Sequence, residues 1–399
     1  MRILLLSNKS PWPPKDGSSA AIWNIIMGLS IQNISLTVLA INTSKHLINA
    51  DEIPDEVSKS IDYKLINLET RINPFKLLIN LLFSSKPYNV ERFYSKEYNS
   101  ELKKTLKNHF DVIQIEGLSM CHYLSTIRQH SSAAVVFRSH NVENIIWSRL
   151  ATEEKNRIKS LYFRILAKRL KKLEKNIINK FDALVAISNS DLEWFKTAGL
   201  SSPALIASPG YMPEEIENYS DAPMNKVGFI GALDWLPNMY GLNWFIEQVW
   251  PIVVDKVTDA EFFVAGRNAS EKTISGIKGH NITFSGEVES SLFFIKDKAV
   301  MVVPLFSGSG IRMKIIESMY HGKCIVATPL AAEGLDYEDK KNIFIESEAH
   351  AFASRIVKLL NNPGQRSEIG ENAIKNVQKN YNIFAISENL VNFYRELTS

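Results

Sequence analysis

The feature that most constrains the fold is a buried strand that leads through a glycine loop into a helix, near the C-terminal end of the chain. The apolar run 299–305 predicts a parallel strand, and the Ser-Gly-Ser-Gly segment 307–310 interrupts it before a helical pattern that starts near Ile311. Glycines let backbone N–H groups approach an anion closely, and a helix N-terminus adds roughly half a positive charge there. The stretch therefore predicts an α/β chain with an anion-binding loop.

Three charged side chains follow these glycines within two helical turns. Arg312 and Lys314 place two cations at a helix N-terminus, where cations are normally disfavoured, so a polyanion such as a diphosphate is expected beside them. Glu317 can accept two hydrogen bonds from a vicinal diol, as an acidic residue does for ribose in dinucleotide folds. The combination favours nucleotide binding over an ordinary connection with two solvated basic residues.

The length and charge of the chain limit the number of domains and the class of protein that it can form. A chain of 399 residues is too long for one ordinary core and predicts two domains. The net charge of +3 gives no global field that would indicate nucleic acid as a partner. Two cysteines, Cys121 and Cys324, lie in apolar segments and indicate a reducing cytoplasm rather than a disulfide framework. Because no apolar window is long enough to span a bilayer, a soluble or peripheral protein is expected.

Periodicity divides the chain into segments. A short strand at 2–6, a proline-rich loop and a helix to about residue 30 open a Rossmann-like domain, predicted for residues 1–210. Periodicity then lapses around four prolines in residues 201–223, which predicts a linker at residues 211–225. A second Rossmann-like domain is predicted for residues 226–380, and the amphipathic segment 381–399 predicts a terminal helix.

Three segments resemble retaining glycosyltransferases of family 4: GSGIRMKIIE at 308–317, RSHNVE at 138–143 and PWPPKDGSS at 11–19. That family has the GT-B fold, in which two Rossmann-like domains contain parallel sheets and the C-terminal domain holds a nucleotide sugar. Its terminal helix crosses back to the N-terminal domain. The resemblance therefore implies a GT-B fold and transfer of a sugar from a nucleotide diphosphate sugar.

The resemblance also implies site residues. His140 corresponds to a histidine that hydrogen-bonds the transferring sugar, with Arg138 and Glu143 as secondary candidates. The implied catalytic residues are His140, Arg312, Lys314 and Glu317. The implied donor-binding residues are Gly17, Ser18, Gly286, Val288, Gly308, Ser309, Gly310, Arg312, Lys314 and Glu317. Ser309 stands where many members carry a first glutamate that contacts the donor sugar, so the chain departs from the family pattern there.

The expected reaction is metal-independent hexosyl transfer with retention at the anomeric carbon, without a covalent nucleophile. Arg312, Lys314 and loop amides would stabilise the leaving diphosphate. No Asp-x-Asp is present, so neither a metal nor a cofactor beyond the co-substrate is expected. The implied acceptor is a glycan or a lipid-linked acceptor in cell-surface polysaccharide synthesis. The alternatives are a GT-B epimerase and a non-catalytic nucleotide-sugar-binding subunit, whereas a Rossmann oxidoreductase is disfavoured because GxGxxG is missing.

Two segments leave membrane contact open. The apolar run 73–83 predicts a packed helix, with contact to a bilayer surface as the alternative. Residues 154–180 predict a helix whose basic face is either solvated or docked on anionic lipid. Its predicted packing stripe comprises Ile158, Leu161, Ile165, Leu173 and Ile177. The expected location is the cytoplasm, with peripheral association at the inner face of the membrane as an option.

Overall fold

Two parallel β-sheets organise the chain, which the computed structural model describes over residues 1–14, 16–44, 47–49, 52–54, 61–212, 225–308 and 310–399. The chain forms two units, Met1–Gly210 with Ile383–Ser399, and Tyr211–Asn382. Ser309 and most of the predicted linker at 211–225 lie outside the described residues.

The first unit contains a seven-stranded sheet in the order β3-β2-β1-β4-β5-β6-β7, with every neighbouring pair parallel. Its strands are β1 (Arg2–Ser7), β2 (Ser35–Thr43), β3 (Ile61–Leu68), β4 (Val112–Glu116), β5 (Ala134–Ser139), β6 (Ala183–Ala186) and β7 (Ala204–Ile206). Its helices are α1 (Gly17–Ser30), α2 (Pro74–Phe83), α3 (Tyr88–Glu91), α4 (Lys96–Thr105), α5 (Leu124–His130), α6 (Glu143–Glu153), α7 (Arg157–Ile177) and α8 (Asn189–Thr197), with 3-10 turns at Leu118–Tyr123 and Ile178–Lys180. Most of the strand residues are buried, as expected for a parallel sheet covered on both faces.

The second unit contains a six-stranded parallel sheet in the order β10-β9-β8-β11-β12-β13. Its strands are β8 (Lys226–Ile230), β9 (Glu261–Ala265), β10 (Ile282–Gly286), β11 (Val300–Val303), β12 (Cys324–Ala327) and β13 (Phe344–Ile345). The helices from residue 225 to the end of the chain are α9 (Leu236–Trp244), α10 (Trp250–Lys256), α11 (Glu271–Gly276), α12 (Ser291–Lys296), α13 (Met313–Tyr320), α14 (Ala349–Leu360), α15 (Pro363–Asn380) and α16 (Ile383–Thr398), with a π turn at Phe245–Val249.

The strand order confirms the prediction of two Rossmann-like domains with parallel sheets. In each sheet the order reverses beside the first strand, between β1 and β4 and between β8 and β11. Ligands of open α/β sheets bind beyond the carboxyl ends of the strands at such a switch point. The topology therefore indicates where each unit can hold a ligand.

The terminal helix α16 belongs to the first unit and packs on α1, as the resemblance implied. The contact is close: a Cβ added to Gly28 of α1 would lie 2.9 Å from both Ile383 Cγ1 and Ser387 Cβ. Gln32 Nε2 also donates a hydrogen bond to Ser387 Oγ at 3.3 Å. The last residues of the chain thus complete the unit that the first residues begin.

Two of the packing predictions for surface helices are wrong. The side chains of Ile158 and Leu161 on α7 are 81% and 60% exposed. Of the predicted stripe, Ile177 and the partly buried Leu173 do reach the core of the first sheet. Leu166 and Leu170 pack there as well, because α7 carries apolar residues on more than one face. Helix α2 is not a packed helix either: its exposed large apolar side chains are Phe75, Leu78, Ile79, Leu82 and Phe83. Within the described part of the chain, no helix combines the length and apolarity needed to cross a bilayer.

Helix α9 approaches the end of β11 so closely that only a glycine fits at position 241. A Cβ there would lie 1.6 Å from the carbonyl oxygen of Pro304. We expect Gly241→Ala to lower the free energy of unfolding by about 3 kcal/mol or more, at the upper end of the range for overpacking. Gly276→Ala is the matched control, because its Cβ would meet nothing within 4 Å, and we expect it to stabilise by about 0.4 to 1 kcal/mol. Urea unfolding of both variants measures the difference, and equal stabilities would contradict the described contact.

Candidate functional site

The glycine loop lies at the switch point of the second sheet. Gly308 and Gly310 have φ angles of 107° and 81°, in the left-handed region that favours glycine. Arg312 then takes an extended conformation at the N-cap position, so that α13 begins at Met313. The sequence predicted a start near Ile311; the helix begins later because the turn at Gly310 and the extended Arg312 delay the first helical residue.

The Arg312 side chain folds back over this loop. Its Nη1 donates a hydrogen bond to the carbonyl oxygen of Gly310 at 2.6 Å. Its Nη2 lies 3.0 Å from the position that a Cβ would take at residue 308. The guanidinium therefore adds positive charge directly beside the loop backbone.

Lys314 extends from the first turn of α13 toward the end of β8. Its Nζ donates hydrogen bonds to the carbonyl oxygen of Ile230 at 2.8 Å and to Asn238 Oδ1 at 3.1 Å. The same atom lies 4.9 Å from the centroid of the Phe229 ring. Burial, together with the nearby charge of Arg312, lowers the pKa of Lys314 to about 7. The site thus holds an ammonium group that is easily deprotonated.

Asn238 is a site residue that the sequence reasoning missed. Its Nδ2 donates to the carbonyl oxygen of Ala232 at 2.9 Å, which fixes the amide so that Oδ1 faces Lys314. The uncharged Asn238 amide is a poor direct partner for phosphate. In the structure, Asn238 orients the lysine side chain. Nothing in the spacing of the two residues along the sequence indicates that they meet.

Glu317 occupies the next turn of α13 and accepts a short hydrogen bond from Ser291 Oγ, at the start of α12. Gly286 ends β10 shortly before that helix, and Val288 packs against the core cluster that includes β11 residues. Ser291 was also missed, because a serine at a helix start is read first as a cap. The hydrogen bond links the predicted diol-binding carboxylate to the segment that follows β10.

The second unit therefore groups most of the predicted donor residues along one sheet edge. Gly308, Gly310, Arg312 and Lys314 meet the ends of β8 and β11, and Glu317 reaches the segment after β10. Such an edge offers backbone amides, two cations and a carboxylate. This combination suits a nucleoside diphosphate, because its phosphates need positive charge and its ribose needs an acceptor.

His140 lies in the first unit, just after β5, beside a buried ion pair. Its Nε2 makes a short hydrogen bond to Glu116 at the end of β4. Arg138 Nη1 donates to the same Glu116 Oε2 at 3.0 Å, and both of these side chains are fully buried. Burial alone would raise the pKa of Glu116, but the charges of Arg138 and His140 and the hydrogen bonds that Glu116 accepts lower it to about 2. Glu116 was missed because no motif in the sequence distinguishes it from an ordinary charged residue at the end of a strand.

The remaining sequence candidates are placed at helix N-termini. Gly17 and Ser18 are exposed and begin α1, where Asp16 caps the helix by accepting from the Ser19 N–H at 2.8 Å. Glu143 begins α6, and its backbone N–H donates to Glu174 Oε1 at 2.7 Å. Burial raises the pKa of the Glu143 carboxyl.

A family of known proteins matches most of the second unit. Residues 224–362 match the family model described as "Glycosyl transferases group 1". An uncharacterized 44.6 kDa protein in the cps region of Klebsiella pneumoniae is 23% identical over 394 residues, which cover 95% of this chain and 96% of that protein.

Solved structures extend the likeness to the whole chain. The sucrose-phosphate synthase of Thermosynechococcus elongatus superposes with a TM-score of 0.71 at 15% identity, covering 100% of this chain and 99% of the other. A TarM mutant from S. aureus, in complex with fondaparinux, alpha-GlcNAc-glycerol and UDP, superposes with a TM-score of 0.71 at 14% identity, covering 99% and 100%. With the two parallel sheets, these likenesses confirm the GT-B fold, and the chain carries a glycosyl transferases group 1 domain in its second unit.

Proposed function

We propose that the protein is a retaining glycosyltransferase that uses a nucleoside diphosphate sugar as its donor. The observation that carries this proposal is the pair Arg312 and Lys314 at the glycine loop, within the segment that matches the family model. Two cations at a switch point, next to backbone amides, suit a diphosphate better than any single-charge ligand. Binding of UDP by the TarM protein supports a nucleoside diphosphate as the class of ligand.

Stabilisation of the leaving group is the proposed source of rate acceleration. As the bond from the anomeric carbon to the diphosphate oxygen breaks, negative charge grows on that oxygen. Arg312 and the ammonium form of Lys314 would neutralise it without reorganising, since hydrogen bonds to Gly310, Ile230 and Asn238 already hold them. This chemistry uses neither a metal ion nor a cofactor beyond the donor itself.

The other site residues have proposed roles in positioning and proton transfer. Glu317, held by Ser291, would accept hydrogen bonds from the ribose diol. His140 would hydrogen-bond a hydroxyl of the transferring sugar. The departing diphosphate could take the acceptor's proton on the face that it leaves, which accounts for retention without a covalent intermediate. The amides of Gly17 and Ser18 begin a helix and would attract donor phosphate.

The proposed acceptor is a glycan or a lipid-linked acceptor in cell-surface polysaccharide synthesis. Support comes from the Klebsiella relative, which lies in a cps region, and from the glycan and the glycosylated glycerol in the TarM complex. A peripheral location on the cytoplasmic face of a membrane accompanies this proposal.

Product analysis with a panel of nucleotide sugars tests the function. We expect release of nucleoside diphosphate that depends on an added acceptor, survives excess chelator and gives a product with the donor's anomeric configuration. Arg312→Ala should reduce kcat/KM roughly 30-fold to 4000-fold, the equivalent of about 2 to 5 kcal/mol for a desolvated charge partner, and Arg312→Lys should recover only part. Release without acceptor would indicate an epimerase, binding without turnover a non-catalytic subunit, and loss of activity in chelator a metal enzyme.

Binding of the diphosphate should be coupled to proton uptake at Lys314. Because the pKa of Lys314 is about 7 without ligand, about nine tenths of the molecules carry it neutral at pH 8. A bound polyanion favours the ammonium form, so affinity should fall as pH rises above 7, by up to about tenfold per unit. Calorimetric titration with nucleoside diphosphate at pH 8, in two buffers of different ionisation enthalpy, measures the protons taken up. Lys314→Met should abolish this uptake, and a wild-type binding enthalpy independent of the buffer would contradict the prediction.

The surface formed by α2 and α7 supports the membrane part of the proposal. The exposed apolar side chains of α2 include Phe83, which is 84% exposed. Arg169 of α7 donates to the carbonyl oxygens of Asn80 and Leu81 at 3.2 and 2.8 Å, which joins α2 to the basic helix. The exposed cations of α7 are Arg157, Lys159, Arg164, Lys168, Lys171, Lys172 and Lys175. The one carboxylate in α2 and α7, Glu174, is buried, so this surface combines apolar and positive groups as an anionic bilayer requires.

Sedimentation with vesicles tests this surface. We expect the protein to sediment with vesicles that contain anionic lipid and less in high salt, since each basic residue near the surface contributes about 1 kcal/mol. Phe83→Ser should lower the partition coefficient roughly 10-fold to 100-fold, because burial of one Phe contributes about 1.5 to 3 kcal/mol. The matched control Phe293→Ser alters an aromatic side chain that is 73% exposed in the second unit, and it should bind vesicles like the wild type. Equal recovery in the supernatant with neutral and anionic vesicles would leave α7 with a merely solvated face.

A further inference from the structure

A buried chain of hydrogen bonds connects the terminal helix α16 with His140 inside the first unit. Tyr394 of α16 donates its hydroxyl to Gln114 Oε1, and Gln114 Nε2 donates to Glu116 Oε1. The other carboxylate oxygen, Oε2, accepts from Arg138 and His140. Tyr394, Gln114, Glu116 and Arg138 are all fully buried, so water does not compete for these bonds.

The protonation state of each group determines which side chain donates and which accepts in this chain of hydrogen bonds. Burial, reinforced by the charge of Glu116, raises the pKa of Tyr394 far above its ordinary value, so the hydroxyl keeps its proton and donates. Gln114 must then turn its amide oxygen to Tyr394 and its NH2 group to Glu116. Glu116 has its pKa lowered to about 2 and, as a carboxylate, can only accept. Its hydrogen bond with His140 therefore requires the proton on Nε2.

The opposite ring nitrogen of His140 is left for another molecule. In the described part of the chain no residue hydrogen-bonds Nδ1, and the side chain is 16% exposed. Gly117 lies beneath it: a Cβ there would be 3.8 Å from Nδ1. In the neutral form of the ring the proton is held on Nε2, so Nδ1 is an acceptor, which suits a sugar hydroxyl as donor.

We propose that Glu116 is the positioning residue of His140, and that Gln114 and Tyr394 hold Glu116 in place. The inference rests on the proposed function, because it assumes that His140 contacts the transferring sugar. In this arrangement the terminal helix sets the tautomer and the ring orientation of a residue that lies more than 250 positions earlier in the chain, 394 against 140. A carboxylate behind a histidine does the same in metal and catalytic sites, where it fixes which nitrogen is protonated.

Packing alone does not account for the network. Arg138 leaves Nε and Nη2 buried without a hydrogen-bond partner among the residues that the structure describes. Buried ion pairs are often no more stabilising than apolar side chains of similar volume. The arrangement instead joins each side chain on the path from Tyr394 to His140 to the next by a hydrogen bond.

The tautomer of His140 can be measured without donor or acceptor. In protein labelled with 15N-histidine, the spectrum of His140→Gln assigns the His140 signals among those of the eight histidines. Neutral His140 should show a protonated Nε2 and an unprotonated Nδ1. A proton on Nδ1 in the wild type would overturn the proposal. This result stands whether or not the protein transfers a sugar, so it separates failure of the inference from failure of the proposed function.

Kinetics of two variants test whether positioning matters for turnover. Glu116→Gln should lower kcat roughly 10-fold to 100-fold, the usual effect of removing a carboxylate behind a functional histidine, with unchanged affinity for nucleoside diphosphate. Because this variant leaves the charge of Arg138 uncompensated and can fail to fold, Tyr394→Phe provides the second test. It removes one hydroxyl at the end of the hydrogen-bond chain that is farthest from His140. It should lower kcat roughly fivefold, the factor that one net hydrogen bond represents.

Tyr98→Phe is the matched control for Tyr394→Phe. Tyr98 is also fully buried in the first unit, and its hydroxyl donates to the carbonyl oxygen of Leu39 at 2.7 Å, outside the His140 chain. We expect both variants to lose similar thermal stability, while only Tyr394→Phe loses turnover. Equal kcat in the two variants, or wild-type kcat in folded Glu116→Gln, would show that the network serves stability alone and would overturn the proposal.

Discussion

Close approach of backbone segments at the end of the second sheet is the constraint on which the proposed nucleotide site depends. Helix α9 can reach Pro304 only because residue 241 has no side chain. Likewise, a Cβ at Gly231 would lie 2.8 Å from Lys314 Nζ, so the lysine reaches the end of β8 only across a glycine. The crossover connections bring these segments together from opposite faces of the sheet, and the glycines set how near they come. The cations Arg312 and Lys314 are therefore held at the edge of the sheet, beside the glycine loop.

Buried charged side chains have different kinds of partner in the two units. In the first unit, the negative charge of Glu116 is balanced by Arg138, and Gln114 donates a further hydrogen bond to it, so no ligand is needed to balance this charge. In the second unit, Lys314 meets a carbonyl oxygen, an amide oxygen and an aromatic ring, and the charge of the cation Arg312 lowers its pKa further. The charge of Arg312 thus disfavours the ammonium form of Lys314. The first arrangement keeps a histidine in one orientation, whereas the second favours binding of a polyanion.

Local patterns in the sequence predicted the parts of this structure that depend on neighbouring residues. The strand, glycine loop and helix around residues 299–320 follow from an apolar run, two glycines and a helical period, and the parallel sheets follow from repeats of that pattern. The pairs Asn238 with Lys314, Ser291 with Glu317 and Tyr394 with Gln114 could not be predicted. Each depends on strand order and helix packing, which bring together residues 76, 26 and 280 positions apart. The exposed face of α7 was misassigned for a related reason: periodicity shows that a helix has apolar faces, but only its neighbours decide which one is buried.

The position of α16 has a consequence for the order in which the molecule can be made. The helix follows the whole second unit in the chain, yet it packs on α1 and its Tyr394 reaches the strand that carries Glu116. During synthesis on a ribosome, domains generally fold from the N-terminus onward as each becomes available. Here the second unit, Tyr211–Asn382, is synthesised before α16, so it can fold while the first unit still lacks that helix. The α1 surface around Gly28 therefore stays uncovered in the nascent first unit until α16 has emerged behind the second unit.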